Sequence, residues 1–206
     1  MNQVISNKTE ALEELFYTFA EFYKYPTKEF YEEVSTGELD EFFKETMHTL
    51  NIPIKTNFQN NVPCLETLQK SYMNCFSGFT TPFAPPIESV YKVWTNDKTA
   101  KVSIAGSKGY LMGDSALHMR HLLKQYNIEV PEGYENMPDH LTILLEFCAF
   151  LQKHTNSQQL VQFMNDHLDW IESFEEELTK LNDHSFYVYV TNILNQVVCS
   201  LKDKDC

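Results

Sequence analysis

Residues 141–151 read LTILLEFCAFL, and a helix through them is apolar on nearly every side. Such a helix has no face to offer water, so the chain must surround it with other elements. Those elements are helical by pattern. Ala11, Leu12, Leu15, Phe16, Phe19, Ala20 and Tyr23 recur at helical spacing until Pro26 closes the run. Phe30 and Val34 mark a shorter piece, and Leu39, Phe42, Phe43, Met47 and Leu50 another, with Gly37 between them. NIPIKTNFQNNVP reads as a polar bridge to a helix carrying Leu65, Leu68, Tyr72, Cys75 and Phe76, which stops at Gly78. Asp114 to Tyr126 is helical again. Beyond the central helix two amphipathic helices are expected, one through Leu160, Met164, Leu168, Ile171, Phe174, Leu178 and Leu181, the other from Phe186 to Leu201.

Six glycines and eight prolines in 206 residues are too few for a sandwich or barrel that turns every ten residues. The expected fold class is all-α, a single-domain helical bundle over 1–206. Within it, 95–113 lacks apolar periodicity and carries Lys98, Lys101, Lys108 and three glycines, so it reads as a loop and as the most mobile segment.

Charge narrows the partners. With 29 acidic residues against 16 basic ones, the formal charge is −13, and Arg120 is the sole arginine, so nucleic acid is excluded as an expected ligand. The acidic run Asp166, Asp169, Glu172, Glu175, Glu176 and Glu177 reads as a solvated helix face. Five widely spaced cysteines form no Cys-x-x-Cys pair and read as reduced thiols, with Cys75 and Cys148 on apolar helix faces. MNQVISNKTE has no apolar export core and no stretch reaches the length of a membrane span, which points to the cytoplasm.

Catalytic signatures are sparse. Neither Gly-x-x-x-x-Gly-Lys-Ser/Thr nor Gly-x-Gly-x-x-Gly occurs, so no nucleotide or other cofactor is expected. His118 and His121 stand three apart on a helix, but two histidines without a third placed ligand read as exposed side chains beside Arg120. A metal-dependent hydrolase using His118, His121, His140 and Asp139 is the competing reading from another class.

Three segments exceed what helix packing requires. Tyr72-Met-Asn-Cys-Phe76-Ser-Gly78 ends a helix with two aromatics four apart. Pro82-Phe-Ala-Pro85-Pro86-Ile-Glu88-Ser-Val-Tyr91 stiffens a loop with clustered prolines and presents Glu88 and Tyr91 on the next turn. Pro138-Asp139-His140-Leu141 stands at the entrance of the central helix, where Pro138 needs no amide partner and Asp139 favours the helix dipole. Capping accounts for these two and leaves His140 for a hydrogen bond toward a ligand.

In this order and spacing the segments resemble the TorD, DmsD and NarJ family of chaperones for molybdenum-containing reductases. His167-Leu-Asp-Trp170 with Phe174 is similar to the family's His-Leu-x-x-Trp helix. Cys75 stands where leucine is usual, and Asn136-Met-Pro-Asp-His replaces the common Glu-Pro-x-Asp-His. The resemblance implies an all-α, non-enzymatic protein that binds the twin-arginine signal peptide, or a nearby segment, of an apo-reductase until its cofactor is loaded. It implies Tyr72, Phe76 and Tyr91 as groove wall, Glu88 and Asp139 as arginine-facing carboxylates, His140 as a hydrogen-bonding partner, and Pro85, Pro86 and Pro138 as peptide-binding residues beside them. A chaperone for a reductase subunit without a twin-arginine signal is the alternative. A monomer is expected, with loops long enough to permit a domain-swapped dimer.

Overall fold

The structure, a computed structural model, describes residues 2–181 and 185–203, with side chains from Asn7 onward. Among the described residues the chain forms eleven helices: α1 (Asn2–Phe22), α2 (Lys28–Thr36), α3 (Glu38–Leu50), α4 (Phe58–Asn61), α5 (Leu65–Phe76), α6 (Glu88–Tyr91), α7 (Asp114–Gln125), α8 (Leu141–His154), α9 (Ser157–His167), α10 (Ile171–Thr179) and α11 (Ser185–Lys202). The one β-type pairing among them is an isolated bridge between Ile87 and His140. The chain is all-α.

Helix α8 lies at the centre, as its composition requires. Leu141, Leu144, Leu145, Cys148 and Ala149 are fully buried, and only Glu146, Phe150 and the last turn reach toward water. Its longest partner is α1, which buries Leu15, Phe16, Phe19 and Ala20; Thr142 Oγ1 also donates to the Ala20 carbonyl at 3.4 Å. At 25 cal/mol per Å² of apolar area, each such buried side chain stabilises the fold by roughly 1.5–3 kcal/mol relative to exposure.

Local chemistry sets the breaks. Gly37 takes φ 88° between α2 and α3, a left-handed conformation that side chains resist. Thr27 caps α2 by accepting from the Phe30 amide at 3.2 Å. The bridge 51–63 contains α4, a turn of helix that local pattern does not announce. Asp40, on α3, accepts from the Phe58 and Gln59 amides at 2.8 and 2.9 Å, so its capping group comes from far along the chain.

The expected single helix over Leu160–Leu181 is two. Leu168 leaves helical geometry at φ −122°, ψ 20°, and the carbonyls freed at the end of α9 are taken by other groups. Lys92 Nζ donates to the Asp166 carbonyl at 2.6 Å, and Trp170 Nε1 donates to that of His167 at 2.7 Å. Side chains from elsewhere thus replace the helix's own amides, which apolar periodicity alone cannot reveal.

The segment 95–113 has no helix but is stitched by its backbone. Trp94 N donates to Ser107 O at 2.9 Å, Thr95 N to Ala105 O at 3.0 Å and Gly109 N to Val90 O at 2.9 Å.

Candidate functional site

The prolines and the entrance to α8 form one structure. Pro85 and Pro86 hold extended backbone, and Ile87 continues it at φ −132°, ψ 118°. His140 is also extended, at φ −66°, ψ 140°, so the strands of chain pair antiparallel. Glu88 N donates to Asp139 O at 3.1 Å, and Leu141 N donates to Pro86 O at 2.8 Å. The first amides of α8, which have no partner inside the helix, are satisfied here.

Capping is exchanged between the two segments. The Asp139 carboxylate does not serve its own helix; Oδ2 accepts from the Ser89 amide at 2.7 Å and starts α6. His140 is the cap of α8, its Nδ1 accepting from the Thr142 amide at 3.2 Å. This corrects the reading that capping leaves His140 unexplained. With Nδ1 accepting, the ring is neutral and burial pushes its pKa down to about 3. Burial likewise raises the Asp139 pKa, against the Ser89 hydrogen bonds, and its Oδ1 is buried without a hydrogen-bond partner.

Glu88 stands at the start of a chain of ionisable groups leading outward. Its Oε2 meets His167 Nδ1 at 2.7 Å, and His167 Nε2 meets His118 Nδ1 at 2.8 Å. On the other oxygen, Lys92 Nζ lies 2.8 Å from Oε1 as an ion pair without hydrogen-bond alignment, and 2.6 Å from Asp169 Oδ1. Burial works against the Lys92 charge, but Glu88 and Asp169 outweigh it and hold the ammonium above its usual pKa. His167 is sandwiched against Phe163, with ring centroids 4.7 Å apart, and its orientation is fixed.

Two clefts meet at this chain. One, of about 520 Å³, is bordered by Asp114, Asp166, Asp169, Lys92, Lys108 and Tyr91, with Glu88 at its floor. The other, of about 420 Å³, has an apolar floor of Leu122, Phe147, Leu151 and Phe163 under a rim of Gln158, Gln159 and Gln162. His118, Asp166 and His167 belong to both and form their common wall.

Of the residues singled out by sequence, Glu88 and Tyr91 line the polar cleft, and Tyr91 stacks on Trp170 at 5.1 Å. Tyr72, Phe76, Pro85, Pro86, Pro138, Asp139 and His140 line neither cleft. Phe76 is a core residue between Phe174 and Tyr187, and Tyr72 packs edge-on against it while donating to the Tyr23 carbonyl at 3.2 Å. Glu88 and Asp139 are 0% exposed, so in this conformation neither presents its carboxylate to solvent. Among the described residues no three His, Cys, Asp or Glu side chains are placed to share a metal ion. His118, His121 and His140 are therefore not gathered into a metal site: His118 meets His167 and His140 caps α8.

Lys92 is the site residue that sequence reasoning did not single out, whereas His118, Asp166 and His167 were read as an exposed side chain, part of a solvated acidic face and part of a family-like helix, and the structure brings all four to one wall. Glu88 and Lys92 did leave a signal, the i, i+4 spacing of opposite charges on one helical face.

Comparisons with known proteins bear on the family and the fold. The model of the family described as nitrate reductase delta subunit matches residues 27–176, nearly three quarters of the chain. The chain belongs to that family. Its members include the TorD and DmsD chaperones. The chain is 27% identical over 135 residues to the chaperone protein TorD of Shewanella piezotolerans, covering 65% of this chain and 60% of that one. It is 30% identical over 78 residues to a Tat proofreading chaperone, DmsD, of Haemophilus influenzae, covering 37% and 38%. The chain thus spans less than two thirds of the length of these curated relatives. A redox enzyme maturation protein from Archaeoglobus fulgidus shares the fold, with TM-score 0.51 and 18% identity over 89% of this chain and 93% of that one. Two of the segments singled out in the sequence meet here, where Glu88 from one and His167 from another form a hydrogen bond.

Proposed function

We propose that this family member is a non-enzymatic maturation chaperone for a molybdenum-containing reductase. It binds the twin-arginine leader, or an N-terminal segment, of the apo-enzyme's catalytic subunit and holds it in the cytoplasm until the cofactor is inserted. The observation that carries this reading is the pair of adjoining clefts, one polar and edged by carboxylates, the other floored by apolar side chains. A leader peptide has the same order of chemistry, cationic guanidinium groups followed by an apolar run. The names of the TorD and DmsD relatives support the same reading.

In this reading Tyr91 belongs to the site directly, and Glu88 lies at its floor, where it orients His167. Tyr72, Phe76, Pro85, Pro86, Pro138, Asp139 and His140 hold α5, α6 and α8 in register beneath it. The acids that face the peptide are the exposed ones, Asp114, Asp166 and Asp169.

Calorimetric titration with a synthetic peptide of two adjacent arginines followed by leucines tests the proposal. Binding should weaken as salt rises, because contacts at a partly exposed groove are screened. Replacing both arginines by alanine should weaken it roughly tenfold or more, as a charge-assisted hydrogen bond contributes about 1.5–3 kcal/mol. Unchanged affinity would leave apolar recognition alone and favour a client without a twin-arginine signal. Absence of binding to any reductase segment would sink the chaperone reading.

A further inference from the structure

The Glu88–His167–His118 chain determines which nitrogen of His118 faces a ligand and in what state. Glu88 forms an ion pair with Lys92, and as a carboxylate it accepts the hydrogen of His167 Nδ1 at the 2.7 Å contact. In a neutral imidazole the second nitrogen is then bare. With His167 neutral, its Nε2 accepts at the 2.8 Å contact and His118 Nδ1 donates. By elimination His118 Nε2 is an acceptor. It has no hydrogen-bond partner among the described residues, and the ring lies exposed on the wall shared by the two clefts. Beside it on the same wall is Asp166, exposed, its carboxylate already oriented by Gln162 Nε2 at 2.8 Å.

We propose that His118 Nε2 and the Asp166 carboxylate together form the acceptor pair for one guanidinium of the bound segment, with Glu88 and His167 as positioning residues that keep His118 in its accepting tautomer. This rests on the leader-peptide reading above and assigns its arginine subsite. A guanidinium suits the pair because it offers several N–H donors in one plane, whereas an ammonium offers a single point of charge. Lys92 does not compete, since Glu88, Asp169 and the Asp166 carbonyl already hold it.

The same wiring makes the subsite sensitive to one proton. Protonating either imidazole places a hydrogen on His118 Nε2 and turns an acceptor into a donor facing a cation. The charged groups around the ring are Asp166 and His167 on α9, Glu88 and Lys92 at α6, Asp114 and His121 on α7, and Lys108 from the adjoining loop. Partial burial and the neighbouring His167 hold His118 below the ordinary histidine pKa, so the accepting form is retained at neutral pH.

The relay is tested first by nitrogen NMR of the imidazole rings. His118 should show a protonated Nδ1 and a bare Nε2 near neutral pH, and Glu88→Gln should disturb that tautomer; a His118 ring protonated at Nε2 overturns the proposal. Binding is tested with the arginine–leucine peptide and its arginine-to-alanine version. Wild-type protein should prefer the arginine peptide by roughly tenfold or more at about pH 7.5 and lose most of that preference by about pH 5. His118→Phe and, separately, Asp166→Asn should each abolish most of the preference at every pH while leaving affinity for the alanine peptide. Both positions are exposed; far-ultraviolet circular dichroism shows the variants folded, since His118→Phe also removes the partner of the buried His167 Nε2 and should lower the melt, whereas Asp166→Asn should not. A preference that is flat in pH and survives His118→Phe overturns the His118 assignment alone. Wild-type protein that binds neither peptide overturns the leader-peptide reading and this subsite with it.

Discussion

Where residues 85–91 meet 138–141, the polar groups are inside: Glu88 and Asp139 expose nothing and His140 only 5% of its surface. Across 95–113 the side chains turn outward, with Lys98, Lys101 and Lys108 exposed and Val102, Tyr110 and Leu111 each close to half so. Both regions are largely irregular, yet their shapes have different origins. At the junction, buried side chains reach specific partners, Asp139 the Ser89 amide, Glu88 His167 and His140 the Thr142 amide, and these contacts fix the backbone although Ser89 Oγ and Asp139 Oδ1 make no hydrogen bond. In the loop the backbone pairs with itself, and a few anchors suffice: Asp114 Oδ2 accepts from Thr95 Oγ1 at 2.9 Å and from Asn96 N at 3.0 Å. Substitutions should therefore be costly throughout the junction and, in the loop, only at its anchors.

The largest effect is expected from Glu88→Ala. It leaves His167, 2% exposed, without its acceptor and removes one of the two carboxylates around Lys92. Breaking a buried charged pair costs about 3–5 kcal/mol, and the lower end applies because Lys92 keeps Asp169. Denaturant titration measures it. A loss below about 1 kcal/mol would mean that the junction tolerates unpaired groups as the loop does.

A second effect is read against pH. His140 is depressed from the ordinary value of about 6.5 to about 3, so its contribution to stability is present above 6.5 and is lost as pH falls toward 3. Over that window the unfolded chain binds the extra proton, and stability should rise by up to about 1.4 kcal/mol per pH unit from this group. His140→Asn keeps a capping side chain but does not titrate, so its stability curve should lack that slope. Asp139 runs the other way. Its raised pKa means stability present below the ordinary aspartate value and lost as pH rises through the folded one, so Asp139→Asn should flatten that fall. Melting temperatures across pH for the two variants separate the contributions.

What could be read from sequence follows the same division between local and distant causes. The apolar girth of α8 and the spacing of α1 are local, and both helices appear where the pattern puts them. So does the break at Gly37. The entrance to α8 was legible as a motif, but its wiring was not, because Asp139 caps a turn 50 residues earlier. Likewise Glu88 and His167 lie 79 residues apart and His118 and His167 lie 49 apart, and neither separation leaves a periodicity to find. The resemblance made Glu88 and Asp139 arginine-facing carboxylates, and a motif carries no information about burial, which is complete for both. Glu88 meets His167 at the end of α9, which the expected unbroken helix would have continued past, and Asp139 meets the Ser89 amide of α6.

Within the loop, Gly113 is an anchor and Gly106 is not. A methyl group at Gly113 would lie 2.7 Å from the Trp94 carbonyl oxygen, which also accepts from Asp114 N at 2.8 Å, so the backbone would have to shift. At Gly106 the same methyl meets nothing within 4 Å. Gly113→Ala should cost about 1–3 kcal/mol, as overpacking does, and Gly106→Ala should stay within about 0.5. Equal costs at the two positions would remove the distinction between anchor and span.

The smallest effect is expected from replacing Lys98, Lys101 and Lys108 together by glutamine. Among the described residues none of the three lies in an ion pair, although the chain carries nearly two acids for each base. With no pair to break and long side chains already in water, each change should alter stability by less than about 0.5 kcal/mol. Hydrogen exchange gives the matching view of the backbone. Amides of Trp94, Thr95 and Gly109 donate to carbonyls and should exchange slowly, whereas those of Lys98 and Lys101, which have no such acceptor, should exchange quickly. If the triple variant instead lost more than about 2 kcal/mol, the side chains of the loop would be holding its shape, and the contrast with the buried junction would fail at the point where it is most clearly drawn.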